Sequence, residues 1–287
     1  MKAWHDGIIS DAAACTVPVL DHGLLYGDGV FEGIRITGGR VFCIDDHLAR
    51  LARSARAIGL ALPYPVTTIR DIVLATARAH GEPEAYVRLL VTRGTGELTL
   101  DPTGCTTPRL VCIVAGIRMF DEARRKRGLR LMTASLRRPR ADQLDPQVKS
   151  LNYLNNVLAK RDARLKGFDD ALLLNTEGRV AEASGANLFA VLGGTLVTPP
   201  PSDGALPGIT RAAVMAMATA TGHAVSERTL TRYDLLAATE VFLCGSGAGL
   251  VAVASLDDAP IGDGDRPCLA TLCAAWPDYA SRHGALF

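Results

Sequence analysis

A lysine at position 149 is the first candidate for chemistry in this sequence. Lys149 lies in QVKSLNYLNNVLAKRDARLKG, residues 147–167, and is one of five lysines in a chain that has 26 arginines. Arginine stays protonated in proteins, whereas a lysine that loses its proton becomes a nucleophile. The stretch predicts that Lys149 lies at the start of a helix, where the helix dipole slightly disfavours a cation. A surface lysine is the alternative for this residue taken alone.

The stretch GALPGITRAAVMAMATATG, residues 204–222, is a candidate anion-binding site. Pro207-Gly208 predicts a turn, and Thr210 lies at the beginning of the amphipathic helix that follows. The first N–H groups of a helix have no partner within the helix, and they suit a phosphate group. A nucleotide-binding P-loop is excluded, because the GxxxxGK[ST] pattern is absent. A well-capped helix without a ligand is the alternative.

A second glycine-containing turn is CGSGAGL, residues 244–250, which follows a predicted strand. Ser246 cannot be read as a hydrolase nucleophile, because Cys244 stands where such a turn has glycine. A dinucleotide-binding turn would need a helix next, and VAVASLD predicts a strand instead. The turn is either a second phosphate contact or a plain connection between two strands.

Glu182 and the stretch DHGLLYGDGVFEGIRI, residues 21–36, complete the set of candidates. Glu182 interrupts an apolar strand, where a carboxylate needs a cationic or N–H partner unless it is solvated at the strand edge. In residues 21–36, glycines allow a close approach to a ligand, and Tyr26 and Phe31 can wall an apolar pocket. Together these candidates indicate pyridoxal 5′-phosphate (PLP). Its aldehyde would react with an amine, its ring nitrogen would pair with a carboxylate, and its phosphate would accept from N–H groups.

The bulk composition excludes several other classes of protein. The formal net charge of +1 gives no general field that would attract nucleic acid or an anionic membrane. No apolar run approaches the roughly 20 residues that a spanning helix needs, and MKAWHDGIISDAAAC lacks the apolar core of a signal peptide. The six histidines and seven cysteines show no metal-ligand spacing and no CxxC pair. We therefore expect a cytoplasmic protein without a metal, a membrane segment or a nucleic-acid partner.

The order of strand and helix patterns predicts an α/β (α+β) fold in two domains. The charged stretch MFDEARRKRG shows no periodicity and is expected to be a solvated connector. The expected domains are a small N-terminal α/β domain, residues 1–118, the connector, residues 119–128, and a larger cofactor domain, residues 129–287.

Five motifs make the chain resemble the class IV aminotransferases, the fold-type-IV PLP enzymes. In chain order they are YGDGVFEGIR, DDHLARL, KSLNYLNNVLAK, EASGANLF and LPGITR, and the resemblance extends from about Gly7 to Asp263. It implies a small N-terminal domain before a larger PLP-binding domain with a β-barrel-like core. It also implies a homodimer whose sites are shared across the interface, acting on an amino donor and a 2-oxo acid acceptor.

The resemblance also implies roles for individual residues at the cofactor. Lys149 is similar to the catalytic lysine that forms a Schiff base with PLP and later moves a proton as acid and base. Glu182 is similar to the carboxylate that keeps the pyridine nitrogen protonated. The other implied cofactor contacts are Arg50 at the phosphate, Ile209, Thr210 and Ser246 in the phosphate cup, Tyr153 at the ring oxygen, and Leu206 on the ring face.

Within this family the chain most resembles the branched-chain aminotransferases. Tyr86 and Arg88 resemble a YxR pair whose arginine meets the distal carboxylate of glutamate or 2-oxoglutarate. Tyr26 and Phe31, together with Tyr86, would line the pocket for the substrate side chain. GTGELTLDP, residues 94–102, resembles a GxGDLGLDP run of that subgroup. The expected reaction moves an amino group between an L-amino acid of the branched-chain type and a 2-oxo acid such as 2-oxoglutarate.

Two departures from the branched-chain pattern leave alternatives open. GSGAGL replaces a GTAAE-type loop, which leaves carboxylate recognition near Gly247 and Ala248 open, and KSLNY is one residue shorter than in some branched-chain enzymes. A D-amino-acid or (R)-amine transaminase is the first alternative, although ELTL stands where D-specific enzymes have an Arg-x-His pair. An aminodeoxychorismate lyase is the second. A PLP-binding or regulatory protein without turnover, or a non-enzymatic α/β scaffold, is the interpretation from another class.

Overall fold

The structure, a computed structural model, describes residues 1–116 and 120–287. Its helices in chain order are α1 (His22–Tyr26), α2 (Ile44–Ala57), α3 (Val66–His80), α4 (Glu122–Arg127), α5 (Ala141–Leu144), α6 (Leu154–Leu165), α7 (Ile209–Ala220), α8 (Arg232–Leu236) and α9 (Pro267–Arg282). The strands are β1 (Lys2–His5), β2 (Ile8–Asp11), β3 (Gly29–Thr37), β4 (Arg40–Phe42), β5 (Ala85–Thr92), β6 (Arg109–Ala115), β7 (Leu129–Arg137), β8 (Asp170–Leu174), β9 (Val180–Ala183), β10 (Asn187–Leu192), β11 (Thr195–Thr198), β12 (Ala224–Glu227), β13 (Glu240–Gly245), β14 (Gly249–Leu256), β15 (Ala259–Pro260) and β16 (Gly284–Leu286).

The described chain forms two compact units, and each contains more than one segment. The first unit contains residues 1–116, 148–152 and 280–287, and the second contains residues 120–147 and 153–279. The segments at 148–152 and 280–287 belong to the first unit because they pair with its strands. Ser150 forms a bridge with Val30, and β16 pairs with β4.

The predicted division of the chain stays a prediction. It ended the small domain at residue 118 and began the connector at Met119, and both positions lie outside the described residues. It also placed residues 148–152 and 280–287 in the larger domain, whereas the structure groups them with the first unit. The reason is long-range strand pairing, which a division of the chain into consecutive ranges does not represent.

The first unit is built on a seven-stranded antiparallel sheet in the order β16-β4-β3-β5-β6-β1-β2. Helix α2 packs on β3, and α3 packs on β6 and β1. Buried Leu48, Leu51 and Ala55 recur at the helical period along α2, so that one apolar stripe faces the sheet. Two helices on one face of an antiparallel sheet leave the other face for other contacts.

The second unit is built on a mixed sheet of nine strands, ordered β12-β11-β10-β13-β14-β7-β8-β9, with β15 paired to β14. The edge strand β9 is separated from β10 by only three residues, and Ala183 N–H donates to Ala186 O in this link. Because β10 lies near the other end of the strand order, the sheet must curl back on itself to close the short link. Apolar residues from β7, β8, β10, β13 and β14 fill its interior.

Two local predictions differ from the structure. The stretch MFDEARRKRG contains α4, which the carboxylate of Asp121 caps by accepting from Arg124 N–H at 2.8 Å. The stretch is too short for a hydrophobic period, so its pattern predicted a connector; its Met119 lies outside the described residues. Lys149 does not lie at a helix start, because α6 begins at Leu154. None of the helices in residues 1–116 and 120–287 combines the length and the hydropathy that crossing a membrane requires.

Candidate active site

The backbone of Lys149 is held on both sides within the first unit. Its carbonyl oxygen accepts a hydrogen bond from Phe31 N–H at 3.0 Å, and its own N–H donates to Ser54 Oγ at 3.1 Å. The side chain is half-buried, and Nζ lies 4.4 Å from the centroid of the Phe31 ring. The amine therefore extends from a fixed point of the backbone on a flexible side chain.

Gly29 allows the segment that carries the lysine to approach β3. Leu151 N–H donates to Gly29 O at 2.9 Å, and Ser150 forms the bridge with Val30 one residue further along the strand. A Cβ atom at Gly29 would lie 2.6 Å from Val91 O and 2.7 Å from the Leu151 side chain. The Val91 oxygen belongs to the backbone of the neighbouring strand and cannot move aside, so this approach requires glycine.

Arg50 lies in a buried cluster with Glu32 and His47. Its Nε donates to Glu32 Oε1 at 2.8 Å, and its Nη2 donates to Glu32 Oε2 at 2.7 Å. His47 Nδ1 lies 2.7 Å from Glu32 Oε2. The side chains of Glu32 and His47 are fully buried, and that of Arg50 is 5% exposed.

The protonation of this cluster follows from its burial and its partners. Burial alone would raise the pKa of Glu32, but the hydrogen bonds and charge of Arg50, together with His47, lower the pKa to about 2. Burial lowers the pKa of His47 and outweighs the opposing effect of Glu32, while the positive charges of Arg50 and Lys149 add to the lowering. At neutral pH Glu32 is therefore an anion and His47 is neutral.

Three of the residues predicted to bind substrate, Phe31, Tyr86 and Arg88, share the other face of β3 and β5. Phe31 and Gly33 alternate with Glu32, and Gly33 pairs with Arg88 in the ladder. Arg88 Cζ lies 4.6 Å from the Phe31 ring centroid and 5.7 Å from that of Tyr86. Arg88 Nε is buried and has no hydrogen-bond partner within the described residues. A cation held between two rings with an unused donor is suited to an anionic ligand.

Gly33 lies on this face, whereas the predicted Tyr26 is on α1. A Cβ atom at Gly33 would lie 1.8 Å from Tyr86 Oη, so the tyrosine hydroxyl occupies the space above the glycine. Tyr26 is 37% exposed at the last position of α1, and its ring meets the His22 ring edge-on with centroids 4.9 Å apart. His22 Nε2 lies 3.0 Å from Glu97 O. The histidine therefore connects Tyr26 to the loop after β5.

In the second unit, the carboxylate of Glu182 is buried and surrounded by N–H donors. Arg138 Nη2 pairs with Oε1 at 2.8 Å. Oε2 accepts from Asn187 Nδ2 at 2.9 Å and from Leu206 N–H at 3.0 Å. The alternative of a solvated glutamate does not hold in the structure, since the side chain is 8% exposed.

Arg138 and Asn187 are two residues of this cluster that the sequence did not single out. Arg138 Nε donates to Gly204 O and its Nη1 donates to Asn156 Oδ1, both at 3.1 Å. Asn187 also donates to Leu206 O at 2.9 Å. Asn187 lies inside the quoted EASGANLF motif and could have been noticed there. Nothing in the charged stretch LRRPR distinguishes Arg138 from its neighbours.

The beginning of α7 combines two features that suit an anion. Gly208 is the N-cap residue and has no side chain to cap the helix, so no side chain of the N-cap accepts from the N–H groups of the first turn, which starts at Ile209. Thr210 Oγ1 is buried and has no hydrogen-bond partner among residues 1–116 and 120–287. A buried hydroxyl without a partner costs about 1–3 kcal/mol, which a bound ligand would offset. Asn187 Oδ1 would lie 1.9 Å from a Cβ atom at Gly208, so a larger residue there would displace the Asn187 side chain that bonds Glu182.

The remaining predicted residues of the second unit have different surroundings. Ser246 and Gly247 are half-buried in the turn between β13 and β14. Ala248 is fully buried and its side chain packs in the core of the curled sheet, while its carbonyl accepts from Arg125 at 2.5 Å. Tyr153 is half-buried directly before α6. Any contact of Ala248 with a ligand would therefore come from the backbone.

The part of the chain that the structure describes contains no group of three or more histidine, cysteine, aspartate or glutamate side chains that could hold a metal ion. The chemistry available at the described residues is that of an amine, buried ion pairs and anion-binding donors.

Comparison with known proteins defines the class of this chain. The family described as amino-transferase class IV matches residues 29–256. The chain belongs to this family, as the five motifs in the sequence predicted.

Individual relatives belong to the same family, and two of them are named as branched-chain aminotransferases. A protein of Methanocaldococcus jannaschii, provisionally named a branched-chain-amino-acid aminotransferase, is 44% identical over 90% of this chain and 88% of its own length. The solved branched-chain aminotransferase of the thermophilic archaeon Thermoproteus uzoniensis, with norvaline, has a TM-score of 0.91 and 33% identity, and the match covers 98% of this chain and 95% of the other. These matches confirm the predicted two-domain fold-type-IV class.

A second activity occurs among the structural neighbours. The 4-amino-4-deoxychorismate lyase of Pseudomonas aeruginosa has a TM-score of 0.84 and 31% identity, and the match covers 96% of this chain and 98% of the other. The fold alone therefore does not separate a transaminase from a lyase.

We expect the free energy of unfolding to fall in two steps as the pH is lowered. The pKa of His47 is lowered in the folded protein, so the unfolded chain takes up a proton first, and stability is lost below about pH 6.5. The pKa of Glu32 falls from 4.5 to about 2 on folding, so its contribution is complete above pH 4.5 and is lost as the pH approaches 2. Urea denaturation from about pH 2 to pH 8 measures both steps.

His47→Asn separates the two steps, because asparagine does not titrate. In that variant the loss just below about pH 6.5 should shrink, while the loss at lower pH remains. His80→Asn, at the last position of α3, is the matched control and should keep both steps. An unchanged first step in His47→Asn would assign that step to another group.

Proposed function

We propose that this chain binds PLP and transfers the amino group of a branched-chain L-amino acid to a 2-oxo acid such as 2-oxoglutarate. The observation that carries the proposal is the buried carboxylate of Glu182, surrounded by Arg138, Asn187 and Leu206 N–H in a class IV aminotransferase. A carboxylate with this environment stabilises a protonated pyridine nitrogen. The relatives named for branched-chain substrates support the choice of donor.

Three groups among the described residues, each taken within its own unit, have the chemistry that PLP needs. The partnerless hydroxyl of Thr210, at a helix start without a side-chain cap, suits a phosphate oxygen. The carboxylate of Glu182 suits a ring N–H, and the amine of Lys149 suits an aldehyde. We assign Arg50, Ile209 and Ser246 to the phosphate, Tyr153 to the ring oxygen and Leu206 to the ring face.

The protein contributes binding and proton transfer to the reaction. When bound, PLP supplies an aldehyde that captures amino groups and a ring that draws electrons from the substrate Cα. Lys149 anchors the cofactor between turnovers, and its released Nζ removes the proton from the substrate Cα and returns one. Glu182 holds the proton on the pyridine nitrogen. The fixed backbone of Lys149 keeps Nζ within one region while the side chain moves.

We assign substrate recognition to the residues that the sequence singled out for it. Arg88, held between Phe31 and Tyr86, binds the distal carboxylate of glutamate or 2-oxoglutarate, and its unused Nε supports this role. Phe31, Tyr86 and Tyr26 bound the apolar pocket for a branched side chain. Backbone groups at Gly247 and Ala248 meet the α-carboxylate. Ala248 acts only through its backbone, because its side chain is in the core.

We also propose that the enzyme is a cytoplasmic homodimer. Leu154, Val157 and Leu158 on α6 are 68%, 56% and 41% exposed, and they lie on one helical face at the spacing i, i+3, i+4. Leu98 and Leu100 in the loop after β5 are 75% and 82% exposed. Exposed apolar clusters of this kind mark contact surfaces. The seven cysteines are free, which agrees with a reducing compartment.

We expect L-leucine or L-valine to bleach the visible band of the bound cofactor, and 2-oxoglutarate to restore it. This half-reaction on the purified protein tests the cofactor, the chemistry and the stereochemistry of the donor together. Lys149→Ala should keep its circular dichroism spectrum and lose multiple turnover, while Lys166→Ala, at an exposed lysine after α6, should keep both.

The other outcomes of the half-reaction point to specific alternatives. Bleaching only by D-alanine or an (R)-amine would assign the enzyme to D-amino-acid or (R)-amine transamination. Consumption of 4-amino-4-deoxychorismate without a 2-oxo acid would favour the lyase. Multiple turnover by Lys149→Ala would exclude the assigned role of the lysine.

Arg88→Ala is expected to impair 2-oxoglutarate far more than pyruvate as acceptor. Loss of a charged hydrogen bond costs about 1.5–3 kcal/mol, which corresponds to a decrease of roughly 10- to 150-fold in kcat/KM for 2-oxoglutarate. Pyruvate has no distal carboxylate and should change by less than about threefold. Steady-state kinetics with both acceptors measures the ratio, and Arg78→Ala, at an exposed position of α3, is the control. Equal losses with both acceptors would remove Arg88 from distal-carboxylate recognition.

Sedimentation velocity should give a particle of twice the 30.4 kDa mass of the chain. Leu154→Lys combined with Val157→Lys should shift the distribution towards monomer, because it places two charges in the apolar face of α6. Tyr233→Lys, at an 81% exposed position of α8, is the matched control and should leave the distribution unchanged. A monomeric wild-type protein would contradict the homodimer. A dimer that tolerates both lysines would place the interface elsewhere.

A further inference from the structure

Three buried polar residues follow one face of α2. His47, Arg50 and Ser54 are separated by three and four residues, which places them one above the other on the helix. We call them the polar stripe of α2. His47 and Arg50 contact Glu32 on β3, and Ser54 accepts from Lys149 N–H. The stripe therefore connects the backbone of the lysine to the only position of β3 that carries a buried carboxylate.

The polar stripe is unfavourable as simple packing. Glu32 points to the same side of β3 as Val30 and Ile34, which belong to the apolar core under α2 and α3. Replacing a buried ion pair by apolar residues of similar volume is often neutral or stabilising, because the charges lose their hydration. A buried cluster of this kind needs a reason other than stability of the fold.

The geometry at Arg50 fixes the orientation of its guanidinium group. Glu32 accepts from Nε and Nη2 through its two different oxygens, at 2.8 and 2.7 Å. Two such bonds set both the plane of the group and its rotation within that plane. The position and direction of the third nitrogen, Nη1, follow from them.

His47 fixes the carboxylate in turn. Glu32 is an anion at neutral pH and can only accept, so the contact of 2.7 Å requires the proton of His47 on Nδ1. The neutral ring then carries an acceptor at Nε2, which is buried without a partner among the described residues. His47 thus contributes its hydrogen bond to Glu32 and leaves one buried polar atom unused.

We propose that Glu32 and His47 are positioning residues for phosphate recognition: the carboxylate holds the guanidinium of Arg50 by two bonds, and the imidazole holds the carboxylate. The inference rests on the proposed function, in which Arg50 binds the phosphate of PLP. Neither Glu32 nor His47 needs to touch the cofactor. Their contribution is to restrict Arg50 to one orientation before the phosphate arrives, which lowers the entropy cost of binding.

The test compares PLP with pyridoxal, which lacks the phosphate, as ligands of the full chain freed of cofactor. Glu32→Gln and His47→Leu should each weaken PLP by roughly 10- to 100-fold in fluorescence titration, and pyridoxal by less than about threefold. His47→Asn should retain most of the affinity for PLP, because its amide N–H can replace Nδ1–H. Glu84→Gln is the matched control, since Glu84 also accepts two hydrogen bonds but is exposed.

The outcomes separate this inference from the proposed function. If Arg50→Met leaves the ratio of the two affinities unchanged, the assignment of Arg50 to the phosphate fails. The positioning role alone fails if Arg50→Met lowers the affinity for PLP relative to pyridoxal, whereas Glu32→Gln and His47→Leu leave this ratio unchanged. If Glu32→Gln and His47→Leu weaken the binding of PLP and of pyridoxal equally, the cluster has only a structural role. If Glu32→Gln does not fold, the comparison of His47→Leu with His47→Asn decides by itself.

Discussion

The attachment of residues 148–152 to β3 is the constraint on which the first unit's functional face depends. Phe31 N–H and Gly29 O bond to this segment, and Ser54 of α2 holds it from another side. These bonds are made by the backbone of β3 and by a side chain of α2. Both elements are held in place by the sheet and the core of the first unit. The amine of Lys149 can then move while the backbone of Lys149 and Phe31 stays in place.

Each unit contains a buried carboxylate whose charged form burial alone would disfavour. In each unit, hydrogen-bond donors around the carboxylate offset this cost. Glu32 and Glu182 each meet an arginine and at least one further N–H donor. Arg138 directs its remaining donors to Gly204 O and Asn156 Oδ1. Arg138 therefore stabilises the carboxylate of Glu182. In our proposal the relation in the first unit is the reverse, because the carboxylate of Glu32 orients the guanidinium of Arg50.

The sequence was sufficient for the family and the fold class, because both rest on local motifs that comparison confirmed. The roles of the site residues stay predictions. The sequence indicated that Glu182 needed a donor, yet it could not identify Arg138, because that pairing exists only after β7 and β9 enter one sheet. The buried contact of His47 with Glu32 could not be identified either, because it exists only after α2 packs on β3. The hexapeptide helix α4 was missed because its stability comes from its cap and from ion pairs with buried Asp169, not from a hydrophobic period.

The pairing of β16 with β4 has a consequence for biosynthesis. Arg40 Nη1 bonds to Gly284 O across 244 positions of the chain, and β16 is the edge strand beside β4 in the first sheet. While the ribosome is still making the second unit, the nascent first sheet must end at β4 with its backbone groups unpaired. Such an edge is open to pairing with other chains. The short length of β4, three residues, limits this exposure until the closing strand emerges from the exit tunnel.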